Sequence, residues 1–333
     1  MEEIDFVITY VNADDEEWNR SRERYSKEGL CDDGIVRYRD WGLLKYWFRG
    51  VEKFAPWVKK IHLVMSGKVP DWVDVKNPRL HVVYHEDYIP KECLPTFNSN
   101  VIEMFFDRIE GLSEHFVYFN DDFFLHDKVS ANFFFKNGKP CDMLAFQPVV
   151  ANPENPVMSH IYLNNSLVLS KYFNKRKEVF AHPGRYFKIG YPPLYFFYNL
   201  LEMAFPLYTG FFTAHGAMPF CKASFRELWE KESDYFSEVS LNRFRSERDI
   251  SPYLFREWQK LTGNFAPCNI TRSFHYYGVS DRRLTKEIRD GKAKIICIND
   301  ENIENWKERK AEIIDAFEEI LPKQSSFEIP LGG

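Results

Sequence analysis

The sequence lacks most of the short motifs that would reveal a chemistry at once. None of the six cysteines, at 31, 93, 141, 221, 268 and 297, stands in a C-x-x-C pair. That spacing suggests neither a zinc site nor a dithiol redox motif, and reduced thiols in a cytoplasmic protein are the expectation. The nine histidines include no H-E-x-x-H, and neither a nucleophile elbow nor a P-loop is present. An excess of positive charge is also missing. The formal net charge of -5 offers no overall attraction to nucleic acid, so any basic site must be local. The opening MEEIDFVITY runs directly into strand-like sequence, so no signal peptide is expected. No internal repeat or low-complexity tract is visible.

There is no clean membrane-spanning run either. Leu194–Thr213 approaches the needed length, but Asn199, Glu202 and Pro206 interrupt it, so packed core is the expectation. The preceding segment supplies Lys171, Lys175, Arg176, Lys177, Arg185 and Lys188. A basic approach to an aromatic run is what peripheral membrane contact through 171–213 would use. An ordinary solvated helix face has the same composition.

What the chain does have is length and aromatic mass. Its 333 residues include 31 Phe, 18 Tyr and 8 Trp, enough for a large core and against a long disordered region. Ile4–Val11 predicts a first strand, closed by the polar turn Asn12-Ala13-Asp14-Asp15, with a helix from Glu16. Such a junction is where open α/β sheets place ligands. Asp40 is placed to cap a helix reaching about Phe54, because Leu43, Leu44, Trp47, Phe48, Val51 and Phe54 recur at spacings of three and four. Ile61–Met65 and Leu80–Tyr84 are short apolar runs of the kind buried on both faces of a parallel sheet. After Pro95 a helix is expected, with Asn100 and Glu103 as a capping box. Strands alternating with helices through residue 125 predict an α/β fold: a mainly parallel, Rossmann-like sheet flanked by helices. From about 130 to 210 the pattern turns irregular and aromatic-rich, which predicts an insertion. Residues 222–264 read as helical, Ala293–Ile298 as a late strand ending at Asn299-Asp300, and Asn305 to about Leu321 as a final amphipathic helix.

The chemistry centres on Glu114–Leu125, EHFVYFNDDFFL. A buried strand ends in Asn120-Asp121-Asp122, and apolar residues resume at once. Carboxylates clamped this way are costly unless a cation or hydrogen bonds offset the charge. A divalent cation carrying a diphosphate would do so, since hard cations prefer carboxylate oxygen. A turn cap without any ligand is the alternative. His215, in TAHGAMPF, has the side chain best suited to accept a hydroxyl proton near neutral pH, or is a structural histidine among aromatics. Arg243-Phe244-Arg245 can neutralise phosphate, or Arg245 and Asp249 form a solvated helical pair. Asn299-Asp300 is a weaker candidate.

Four blocks of the chain, in order, resemble the Stealth proteins. The first is IDFVITYVNADDEEW. The second runs from RDWGLLKYWFRGVEKFAPWVKKIHLVMSGKVPDWV through NPRLHVVYHEDY and LPTFNSNVIE to IEGLSEHFVYFNDDFF. The third is represented by TAHGAMPF and VSLNRFRSERDI, the fourth by KIICINDEN and PKQSSFE. Stealth proteins are hexose-1-phosphate transferases of microbial capsule synthesis, related to the lysosomal-enzyme GlcNAc-1-phosphotransferase. The departures are Tyr10 for the usual Trp, Asn12 for a frequent Asp, and Leu43-Leu44-Lys45-Tyr46-Trp47-Phe48-Arg49-Gly50 for Glu-Leu-Arg-Tyr-Ser-Leu-Arg-Ser.

The resemblance implies a GT-A-like single catalytic domain over 1–333. Within it, 1–128 would bind a nucleotide sugar, 129–210 would be an acceptor-side insertion, and 211–333 would complete the site. It implies transfer of hexose-1-phosphate from a UDP-sugar to a glycan hydroxyl, with UMP released and a phosphodiester formed. It implies catalytic roles for Asp5, Asp122, His215 and Arg245. Thr9, Asn12, Arg49, Asn98, Ser99 and Asn100 would bind the donor. Asp121, Asp122 and Asp300 would hold Mg2+ or Mn2+. The acceptor would be a growing glycan, free or lipid-linked at the inner membrane face, and a homo-oligomer stays open. A metal-dependent GT-A glycosyltransferase releasing UDP is the rival activity, since fold and paired acids alone do not separate the two. A catalytically silent polysaccharide-binding module is the rival from another class.

Overall fold

The computed structural model describes residues 3–26 and 39–330, and Cys31 lies outside the described residues. Eight strands matter for the site: β1 (Ile4–Val11), β2 (Ile61–Ser66), β3 (Leu80–Tyr84), β4 (His115–Phe119), β5 (Phe123–Leu125), β6 (Met218–Cys221), β7 (Phe274–Gly278) and β8 (Ile295–Asn299). The main sheet has the order β3-β2-β1-β4-β6, with β6 alone antiparallel. This is the mainly parallel, helix-flanked sheet that the alternating pattern predicted.

The strands read as apolar runs because both faces are covered. On β1, Phe6 and Ile8 join the core cluster that includes Leu44, Trp47, Val51 and Phe317. Val7 between them joins the opposite cluster, with Val101, Phe225, Leu254 and Trp258. A period-two backbone thus feeds two cores from one strand.

Chain order and strand order disagree at one place. After β1 the chain builds β2 and β3 outward on one side, then returns to lay β4 on the other. The crevice at the carboxyl ends of β1 and β4 is therefore the switch point of the sheet, where open α/β folds bind ligands. A second, three-stranded sheet meets the first there, in the order β7-β8-β5. β4 and β5 belong to different sheets, so Asn120-Asp121-Asp122 is the hinge between them.

Several local expectations change. The helix before Pro56 begins at Leu44, and its N-terminal flank Leu43 makes no side-chain cap. Asp40 instead accepts a hydrogen bond from Gly42 N at 2.7 Å. The cap of the helix Ser99–Met104 is Asn98, whose side chain accepts from Asn100 N. Glu103 accepts from the Tyr118 hydroxyl at 2.6 Å instead of closing a box. Between 129 and 210 the chain carries the helices Pro156–Tyr172, Lys175–Ala181 and Pro193–Glu202, joined irregularly. They escaped the periodicity reading because the last is built inside out. It buries Asn199 and Glu202 and exposes Leu194, Phe197, Leu200 and Leu201. No helix among the described residues is long and apolar enough to cross a membrane.

Candidate active site

A cleft of about 1040 Å³ opens at the switch point. It is as large as the largest ordinary small-molecule sites, with room for two substrates side by side. Tyr10 and Val11 from β1, the Asn120–Asp122 hinge, Ile298 and Asn299 from β8, and Asp300 just after it form its sheet-side wall. The opposite wall comes from residues 147–166, Thr213, His215, Arg245 and Tyr253. Every third of the chain contributes.

The acids meet because two sheets end at one place. Phe123 N donates to Asn120 O at 3.1 Å, turning the chain between β4 and β5, while Ile298 N donates to Asp122 O at 2.9 Å, tying that turn to β8. Asp300 follows β8 directly and pairs with Arg39 at 3.3 Å. Two carboxylate oxygens, Asp122 Oδ1 and Asp300 Oδ2, are buried without a hydrogen-bond partner. Asp121 faces the water of the cleft. Desolvation by the surrounding walls, then the charges of Asp122, Asp40 and Asp300, push its carboxyl up to about 7, and cleft water screens part of that effect. Carboxylate oxygens left without partners among like charges are suited to hold a cation. The donors are hard oxygens, so the set fits Mg2+ or Mn2+.

His215 stands opposite. Its Nε2 lies 3.6 Å from Asp122 Oδ2, and its Nδ1 lies 3.1 Å from the Tyr253 hydroxyl. The ring meets Phe123 edge-on with centroids 4.9 Å apart. Behind it, the fully buried Arg256 forks onto Asp142 at 2.6 and 2.9 Å and donates to Ala214 O at 2.8 Å, fixing the backbone next to His215. Gly216 is required on the other side, because a Cβ there would fall 2.4 Å from the Phe274 ring.

Arg245 lies on the cleft wall in a non-helical loop and donates to Ser99 Oγ at 2.7 Å. Its loop is clamped by the buried Asp249, which accepts from Asn98 Nδ2 at 2.7 Å, Asn100 Nδ2 at 3.3 Å, Asn242 Nδ2 at 2.7 Å and Ser246 N at 3.0 Å. A helical Arg245–Asp249 pair does not form.

Of the residues singled out from sequence, Asn120, Asp121, Asp122, His215, Arg245, Asn299 and Asp300 thus meet in one cleft. Asp5, Thr9, Asn12, Arg49, Asn98, Ser99 and Asn100 do not line it. Asp5 sits at the amino end of β1, about 20 Å along the strand from Val11. It is fully buried between His62 Nε2 at 3.2 Å and Ser113 N at 2.7 Å. Burial pushes that carboxyl up, but these hydrogen bonds outweigh burial and hold it low. Arg49 is buried and forks onto Glu328 at 2.9 Å, with Nη1 on Glu318 and Leu321 O. Thr9 Oγ1 lies 3.1 Å from the Tyr118 hydroxyl, and Asn12 Nδ2 donates to Lys68 O. Asn98 and Asn100 act on the Arg245 loop, and Ser99 touches Arg245 itself.

Sequence reasoning passed over several cleft residues. Tyr10 lines the cleft and donates to Asp40 at 3.4 Å, and it is the position where the Stealth pattern usually has Trp. Arg39 and Asp40 lie in the quoted RDWG block and could have been chosen there. Cys297 is buried and does not itself line the cleft, but its thiol is 3.3 Å from Asp122 Oδ2; it carried no signal, because only the β5–β8 register places it beside the hinge.

Residues 37–142 match the family model described as Stealth protein CR2, conserved region 2. The chain is 43% identical over 333 residues to a capsular polysaccharide phosphotransferase, WcwK, of Streptococcus pneumoniae, covering 98% of each. It is 36% identical over 332 residues to the exopolysaccharide phosphotransferase cps2G of Lactiplantibacillus plantarum, covering 98% of this chain and 96% of that one. A solved structure of the galactosyltransferase LgtC with donor and acceptor sugar analogues aligns over 97% of this chain and 98% of its own, at 8% identity and a TM-score of 0.40. That likeness is too loose to bear on the site. With full-length relatives at this identity and the second Stealth block matched, the chain belongs to the Stealth family of capsular and exopolysaccharide phosphotransferases.

Proposed function

We propose that this enzyme transfers hexose-1-phosphate from a UDP-sugar to a glycan hydroxyl, releasing UMP and forming a phosphodiester in capsule synthesis. The observation that carries this is the pairing, across one cleft, of an acid cluster with orphaned oxygens and a base–cation pair, His215 and Arg245. Asp121, Asp122 and Asp300 would hold Mg2+ or Mn2+, which when bound neutralises charge on the donor diphosphate. His215 works as the base when Nδ1–H is donated to the Tyr253 oxygen, because Nε2 then keeps its lone pair toward the cleft. The acceptor hydroxyl gives its proton to Nε2, and its oxygen forms a bond to the sugar-bearing phosphorus. The phosphorus–oxygen bond to the nucleoside phosphate breaks, UMP takes the electron pair, and the sugar C1–O bond is untouched. Asp122 at 3.6 Å stabilises the imidazolium that results, and Arg245 balances the crowded phosphate oxygens.

The test is product analysis with a UDP-sugar, an acceptor glycan and Mg2+ or Mn2+. UMP together with a new phosphodiester is expected. UDP together with a glycosidic bond would replace this reading with a GT-A glycosyltransferase.

We also infer a cytoplasmic enzyme that meets an anionic membrane surface while acting on a lipid-linked acceptor. All five described cysteines are free, which suits a reducing compartment. The inside-out helix Pro193–Glu202 offers Leu194, Phe197, Leu200 and Leu201 to the outside, and Ile189, Phe205 and Leu207 extend the patch. Exposed Arg176, Lys177 and Lys188 supply charge complementary to anionic lipid. Lys175, which the sequence placed among them, is buried against Glu202 at 2.8 Å and cannot take part.

A further inference from the structure

Among the described residues, one mixed group of potential metal ligands stands out: Asp122, His215 and Cys297, whose ligand atoms all lie within 4.8 Å of one another. We propose that these three side chains form a soft-metal site that takes Zn2+, distinct in chemistry from the all-oxygen site of Asp121, Asp122 and Asp300.

The distances suit a tetrahedral ion. Zinc bonds of about 2.0 to 2.3 Å put neighbouring ligand atoms about 3.3 to 3.8 Å apart. Cys297 Sγ and Asp122 Oδ2 are 3.3 Å apart, and His215 Nε2 and the same oxygen are 3.6 Å apart. Two of the three edges already lie in or at that range. All three ligand atoms lie within 4.8 Å of one another, and the imidazole, the most exposed of the three groups, is the one that would turn to close the set. Asp122 and His215 line the cleft, so a fourth, exchangeable ligand would come from that side.

The surroundings favour zinc over the hard cations. A thiolate and an imidazole are soft and borderline donors, whereas Mg2+ demands oxygen. Tyr253 engages His215 Nδ1 and so directs Nε2 at the metal, the outer-sphere arrangement that zinc histidines use. Cys297 is anchored in the middle of β8, with its backbone in register with Phe123. Binding releases the thiol proton to solvent and leaves a thiolate on the ion.

Zinc held here occupies His215 Nε2, the lone pair that accepts the acceptor proton, and draws on Asp122. The site is therefore inhibitory, a consequence that rests on the proposed role of His215. Binding itself does not rest on it.

The experiment uses the metal-free full chain with Co2+ as the spectroscopic probe and Zn2+ as the competitor. One Co2+ per chain is expected, with tetrahedral visible absorption and a near-ultraviolet thiolate-to-metal band, both displaced by Zn2+. Cys297→Ser should abolish the band and weaken Zn2+ binding by at least about 10-fold. Should Ser unfold the chain at this buried position, Cys297→Ala replaces it. X-ray absorption of the zinc-loaded wild type should independently show one sulfur at about 2.3 Å together with imidazole nitrogen. Absence of sulfur from the coordination shell, or unchanged affinity in the Cys297 variants, overturns the proposal. A sulfur-ligated zinc that leaves phosphotransfer undiminished sustains the site and instead overturns the assignment of His215 as base.

Discussion

At the scale of single residues, the site is defined by what each polar atom has left to do. Tyr253 is a positioning residue: it touches His215 and not the reacting atoms. Tyr253→Phe leaves Nδ1 without its partner, so the productive tautomer loses its preference. A fall in kcat of about 10-fold is expected with KM nearly unchanged, together with a displaced pH–rate profile. His215→Ala should cost on the order of 10²–10³ in kcat. Equal loss of folded protein in either variant would assign a merely structural role. Glu103 offers a pH test away from the metal ligands. Burial pushes its carboxyl up to about 7 from an ordinary 4.5, against the lowering effects of the Tyr118 hydrogen bond and the Arg245 charge. The folded state then holds a proton that the unfolded state has released between those values. The unfolded state binds fewer protons there, so this group makes stability fall as pH rises from about 4.5 to about 7. Glu103→Gln keeps an acceptor for Tyr118 and removes the penalty. Relative to wild type, it should gain on the order of 3 kcal/mol at pH 8 and nothing at pH 4. Denaturant melts across that range would refute the assignment if the two curves stayed parallel.

At the scale of elements, the sequence pattern located the parallel strands of the main sheet and β8, but not where the chain's polar residues are placed. Ile4–Val11 was legible to the residue because a strand covered on both faces is a nearly unbroken apolar run, ended here by the Asn12 turn. Arg49 was not legible. It lies on the helix Leu44–Phe54, and its partners Glu318 and Glu328 are roughly 270 positions away in sequence. No local pattern foretells a pairing of that separation. Arg49→Leu leaves Glu328 buried without its counter-charge and should destabilise the chain by on the order of 3 kcal/mol. KM for the donor should be unchanged in the protein that remains folded. A raised KM at unaltered stability would return Arg49 to donor binding. The loop 242–249 misled for a related reason. Its Arg-x-x-x-Asp spacing suits a helix, but Asp249 is buried and finds the asparagines at 98, 100 and 242 instead. Hydrogen-bonded burial outcompetes a solvated ion pair worth a few tenths of a kcal/mol.

At the scale of the whole molecule, the cleft and the apolar patch share one stretch of chain. Val149 N donates to Thr209 O, and Phe211 and Thr213 continue from there into the cleft wall. An enzyme seated on a membrane by the patch would hold a lipid-linked acceptor near the site. Vesicles containing anionic lipid should co-sediment the wild type, and the double change Phe197→Ser and Leu200→Ser should reduce the bound fraction at least about 5-fold without altering activity on a soluble acceptor. Wild-type protein that stays in the supernatant would remove the membrane from the proposal. By itself, the sequence determined the sheet, the acid hinge after β4 and the family, because each is written in contiguous residues: apolar runs, an Asn-Asp-Asp stop and ordered blocks. Only the tertiary structure decided which carboxylates face one another, that Asp5 and Arg49 are buried outside the cleft, and that Cys297 stands beside Asp122. Those facts depend on strand order and register, which bring together residues far apart in the chain, and on burial, which leaves some polar atoms satisfied and others open to a ligand.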